Sequence, residues 1–93
     1  MTGRLEGQIA LVTGASRGIG AAIAETLAAS GAHVILTARQ GEMLEQVEDR
    51  IHEKGGSATI APLDLTDADA IGRLAQAVGS RWGKLDILVL NAA

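Results

Sequence analysis

Four short apolar runs alternate with three longer helix-like stretches along these 93 residues, and that alternation restricts the fold more than any other feature. The runs are Q-I-A-L-V-T at 8–13, H-V-I-L-T-A at 33–38, S-A-T-I-A-P-L at 57–63 and L-D-I-L-V-L at 85–90. Near-continuous apolar runs of this length suit strands buried on both faces. Pro62 falls near the end of the third run, where a missing N–H costs least. Between the first two runs, 21–30 is rich in helix formers, with Ile23 and Leu27 four apart on an expected core face and Gly31 where a helix would stop. The 42–54 stretch sets Leu44, Val47 and Ile51 at core spacing, and Gly55-Gly56 ends it. Its Glu45, Glu48, Asp49, Arg50 and Glu53 read as a solvated face with i,i+4 pairs. Thr66-Asp67-Ala68-Asp69 reads as the start of a third helix, capped by Thr66 and favoured by acids at the positive dipole end. Ile71, Leu74, Ala75 and Val78 form its core stripe, and Trp82 at its end reads as a packing residue. The resulting order β-α-β-α-β-α-β predicts an α/β fold, a parallel sheet with right-handed crossovers and helices on both faces.

Several functions are excluded by what the chain lacks. Trp82 is the sole aromatic residue, so the core is built from Ala, Leu, Ile and Val, and aromatic platforms for single-stranded nucleic acid are missing. The net charge is −3 and Lys and Arg do not cluster, which speaks against a phosphate-backbone partner. Without cysteine there is no disulfide, thiolate zinc site or thiol nucleophile. His33, expected at the solvated entry to the second strand, and His52, on a polar helix face, stand apart, so no metal site is expected. No apolar run approaches the ~20 residues of a membrane span, and Met1 to Gly7 carries no signal-like stretch. The expectation is a cytoplasmic protein with no membrane partner.

The chemistry sits in Thr13-Gly14-Ala15-Ser16-Arg17-Gly18-Ile19-Gly20, between the first predicted strand and the first predicted helix. Gly14 suits the tight exit from the strand. Gly18 lets backbone N–H groups approach a pyrophosphate, and Gly20 lets helix and strand pack closely. A helix amino terminus then offers unpaired N–H groups and positive dipole charge to the anion. A triphosphate loop does not fit, because Gly-Lys followed by Ser or Thr is absent.

T-G-A-S-R-G-I-G resembles the signature of the classical short-chain dehydrogenase/reductase family. Leu63-Asp64-Leu65-Thr66-Asp67 is similar to that family's D-x-T-D segment, and Leu85 to Ala93, L-D-I-L-V-L-N-A-A, to its L-D-x-L-V-N-N-A-G segment. Leu90 departs from the family's first Asn and Ala93 from its Gly, while Asn91 and Ala92 match. The resemblance implies a Rossmann-type doubly wound parallel sheet with strand order 3-2-1-4. Residues 1–93 would be the amino-terminal part of a single dinucleotide-binding domain whose remainder lies outside this chain. It implies cofactor contacts at Gly14, Ser16, Arg17, Gly18, Ile19, Gly20, Arg39, Asp64, Leu65, Asn91, Ala92 and Ala93, with Asp64 meeting the adenine amino group.

A site preferring NAD(H) places an acid at the end of the second strand for the ribose 2′-OH. Here Ala38 stands there, followed by Arg39, which suits charge-assisted bonds to a 2′-phosphate, so NADP(H) is favoured over NAD(H). The family activity is hydride transfer with a small-molecule carbonyl or alcohol substrate, in proteins that are homo-oligomers at full length. Its Tyr-x-x-x-Lys motif lies beyond the fourth strand, and this chain has no tyrosine, so no catalytic residue is expected within it. The alternatives are a non-catalytic dinucleotide-binding or sensor protein on the same fold and, disfavoured by Ala38, a methyltransferase.

Overall fold

The computed structural model describes residues 4–15, 18–38, 41–61 and 69–90. The chain runs β1 (Ile9–Thr13), α1 (Gly18–Ala29), β2 (His33–Thr37), α2 (Gly41–Glu53), β3 (Ser57–Ile60), α3 (Ala70–Trp82) and β4 (Ile87–Val89). All strands are parallel, in the order β3-β2-β1-β4, as the resemblance implies.

The central strands are the apolar ones. Every residue of β1 is buried, as are Val34 to Thr37 of β2, because helices cover both faces of the sheet. Strand alternation sends Ala10, Val12, Val34, Leu36 and Ala58 to one face, where α1 and α2 add Ala21, Ala24, Ala28, Leu44, Val47 and Ile51. Ile9, Leu11 and Ile35 face the other way and meet Val78 of α3, with Leu74, Trp82 and Leu85 packed around them.

Several elements depart from their expected bounds. Helix α1 starts at Gly18, before position 21, because the glycine turn passes directly into the helix. Its buried face is Gly20, Ala21, Ala24 and Ala28, while Ile23 and Leu27 are only half-buried. Small side chains let the helix axis approach the sheet, so the larger ones are displaced to its flank. Strands β3 and β4 are shorter than the runs at 57–63 and 85–90. Helix α3 begins at Ala70; the capping role expected of Thr66 lies outside the described residues. Arg50 does not settle for partners on its own helix: it pairs with Glu25 of α1 at 3.1 Å, and Lys54 reaches the same carboxylate at 3.5 Å. After α1 the chain turns through Gly31 at φ +104, where a Cβ would meet the backbone N of Glu6 at 3.0 Å. Only glycine suits both the angle and the approach.

Candidate functional site

The strand order creates one special place. From β1 the chain moves outward to β2 and β3, then returns to the other side of β1 with β4, so the carboxyl ends of β1 and β4 bound a topological switch point. Open α/β sheets bind ligands in the crevice at such points. The two strand ends are tied there by a side chain: Thr13 Oγ1 donates to the carbonyl of Val89 at 3.3 Å.

The glycine turn leaves β1 at this point. Gly14 takes φ +60 and Gly18 φ +64, a left-handed region that L side chains rarely adopt. Between them Ala15 is fully buried, and its N–H donates to the carbonyl of Thr37 at 3.2 Å, anchoring the turn to the end of β2. Helix α1 opens at Gly18 itself. A Cβ placed on Gly18 would meet nothing within 4 Å, so the space before the helix start is open. Gly20 is buried, whereas Ile19 stands 71% exposed. The first N–H groups of a helix have no intrahelical acceptor, and the positive end of its dipole points the same way. An open space bounded by a helix start and left-handed glycines fits a bound phosphate group.

The structure therefore brings Gly14, Gly18, Ile19 and Gly20 together at the switch point. The expectations for Ser16, Arg17, Arg39, Asp64, Leu65, Asn91, Ala92 and Ala93 fall outside the described residues. Their described neighbours converge on the same end of the sheet. Ala38, just before Arg39, is buried, and Leu90, just before Asn91, is 63% exposed beyond the end of β4.

Four polar features go beyond the sequence reading. Thr13 joins β1 to β4; the available signal was a hydroxyl residue closing an apolar run. Thr37 is fully buried at the end of β2, and its Oγ1 has no hydrogen-bond partner among the described residues. Asp86 precedes β4 and accepts the N–H of Ile9 on Oδ2 at 2.8 Å, while its own N–H donates to the Ile9 carbonyl at 2.9 Å. That bond, together with Lys84 at 3.3 Å, holds the carboxyl below the usual carboxylate range. His33 is half-buried and doubly bonded rather than solvated. Among the described residues, no helix is long and apolar enough to cross a membrane.

Comparison with known proteins bears on this geometry. A family model described as short chain dehydrogenase matches residues 8–93. A fatty acyl-CoA reductase of Acinetobacter baylyi is 49% identical over 88 residues, aligning 95% of this chain with 30% of its own length. The crystal structure of a metagenomic short-chain oxidoreductase in complex with NADP superposes with a TM-score of 0.91 at 52% identity, over 96% of this chain and 40% of that one. A 3-oxoacyl (acyl-carrier-protein) reductase from Agrobacterium tumefaciens with NADP bound gives a TM-score of 0.88 at 47% identity, over 96% and 34%. The chain spans about a third or less of the length of the curated relatives it matches.

Proposed function

This chain belongs to the short-chain dehydrogenase family, and from that premise we propose that it is the dinucleotide-binding part of an NADP(H)-dependent oxidoreductase acting on a small-molecule carbonyl or alcohol. The observation that carries the reading is the left-handed Gly14–Gly18 turn at the β1–β4 switch point, with open space before the start of α1.

In this reading Gly14, Ser16, Arg17, Gly18, Ile19 and Gly20 hold the pyrophosphate side of the cofactor. Arg39 pairs with the 2′-phosphate, Asp64 and Leu65 take the adenine, and Asn91, Ala92 and Ala93 border the adenosine ribose. Two features support NADP(H) over NAD(H). The buried Ala38 offers no carboxylate to repel a 2′-phosphate, and two similar structures carry NADP. When bound, the nicotinamide supplies the hydride donor or acceptor. The residues of this chain bind and orient it. Proton transfer is assigned to a Tyr-x-x-x-Lys pair outside 1–93, since this chain contains no tyrosine.

Isothermal titration of the full-length protein with NADPH and NADH tests the reading. NADPH is expected to bind at least ~10-fold more tightly, the equivalent of one charge-assisted bond. Equal affinities refute the cofactor choice, and binding of neither refutes the site.

A further inference from the structure

The amino-terminal edge of the sheet, at the far end of the strands from the glycine turn, holds a side-chain cluster that the proposed function does not use. His33 opens β2, and its ring bridges two hydroxyls of edge strand β3: Nδ1 lies 2.9 Å from Ser57 Oγ and Nε2 2.8 Å from Thr59 Oγ1. The same ring meets Trp82 at the end of α3, with centroids 5.3 Å apart and planes inclined by 35°. Arg81 sets its guanidinium 4.6 Å from the centroid of that indole. One imidazole thus joins β2, β3 and α3. Among the described residues, α3 buries Ala70 and Val78, and Leu74 and Trp82 are half-buried.

We propose that His33 is a pH-sensitive latch, holding the carboxyl end of α3 against the β2–β3 edge when its ring is neutral and loosening it when the ring is protonated. A neutral imidazole donates from one nitrogen and accepts at the other, which suits a hydroxyl on each side. Protonation makes both nitrogens donors and places a cation in a half-buried position. Trp82 could favour a cation through its ring face, but Arg81 already engages that indole. Burial, then the charge of Arg81, then His52 at the end of α2, hold the His33 ring below the ordinary histidine value. Among the described residues, Arg81 and His52 are the titrating or charged groups that reach it from α3 and α2. Strands β1 and β3 present Ile9, Ser57 and Thr59, none of which titrates. Because the docked ring has the lower pKa, the undocked state takes up the proton first. Docking is therefore fully stable above pH ~6.5 and weakens as pH falls from there toward the docked pKa.

Hydrogen exchange of the full-length protein tests the latch independently of cofactor binding, using peptides from 70–82 corrected for the intrinsic effect of pH. Protection there is expected to fall about three- to tenfold between pH ~7.5 and ~5.5, while peptides from 41–53 hold steady. His33→Phe keeps a ring against Trp82 that cannot be protonated, so the pH dependence should vanish. Arg81→Gln removes a charge that repels the protonated ring, so the docked pKa rises toward the undocked value and the loss of protection between pH ~7.5 and ~5.5 should shrink. Wild-type protection that ignores pH, or an unchanged pH dependence in folded His33→Phe, overturns the proposal. If His33→Phe does not fold, Arg81→Gln decides, and an undiminished loss of protection overturns it.

Discussion

The two faces of the sheet are built differently. On the α1–α2 face, fourteen buried apolar residues interlock, and Leu44 and Val47 are fully enclosed. On the α3 face the buried cluster is Ile9, Leu11, Ile35 and Val78, bordered by residues that keep partial exposure. Leu88, on the α3 side of β4 opposite Leu11, remains 46% exposed. The first face is closed by packing. The second relies on polar attachments at its margins: Asp86 on the Ile9 N–H, and His33 between Ser57, Thr59 and Trp82. Apolar burial is insensitive to pH and salt, whereas such attachments are sensitive to both, so stress should open the α3 side first.

Truncation of matched leucines gives the strongest way to break that comparison. Leu44→Ala on the closed face should cost the full-length protein ~2–5 kcal/mol, because the enclosed cavity cannot collapse. Leu74→Ala on the α3 face should cost roughly half as much or less, since the described residues of this chain enclose that side chain only in part. Urea melts of both variants measure the difference. Equal losses would mean that the α3 face is as well packed as its opposite.

The closed face also carries the proposed phosphate cradle at the start of α1, so binding and core packing can be separated there. Gly18→Val should lower NADPH affinity more than ~100-fold, because the side chain would fill the open space before the helix and is strained at φ +64. A Cβ there meets nothing within 4 Å, so the fold should survive. A folded Gly18→Val protein that binds NADPH normally, by calorimetry, would remove the cradle from the proposal. Arg39→Asp should have a smaller effect, weakening NADPH about ten- to a hundredfold while sparing NADH. Equal weakening of both cofactors would assign Arg39 to the fold rather than to the 2′-phosphate.

The same division explains what the sequence could and could not reveal. The succession of elements and the turn were legible because Ile9 to Thr13 and Val34 to Thr37 lie in largely apolar runs and three glycines sit between strand and helix, whereas the strand order in the sheet came from the family resemblance. The α1 packing face was misread. Ile23 and Leu27 have helical spacing and size, but the surface nearest the sheet is chosen by how closely backbones approach, and that favours Ala21, Ala24 and Ala28. The latch was hidden for a different reason. His33, Ser57, Thr59 and Trp82 are far apart in the chain and meet only through parallel pairing of β2 with β3 and the placement of α3. Asp86 could be read as structural, but its bond to Ile9 spans 77 positions and carries no local signal.

The smallest expected effect tests whether the closed face needs its charges at all. Glu25 on α1 accepts Arg50 and Lys54 of α2, but their side chains are 45% and 68% exposed. Exposed pairs gain little, because water screens the attraction and two long side chains lose freedom to make it. Beneath them, Ala28, Val47 and Ile51 already join the two helices without polar help. Glu25→Gln should therefore cost less than ~1 kcal/mol, and the loss should shrink further as salt is raised. Urea melts at low and high ionic strength measure both quantities. A larger, salt-independent loss would show that the α1–α2 seam, like the α3 side, is held at its margin by polar contacts, and the contrast between the two faces would fail.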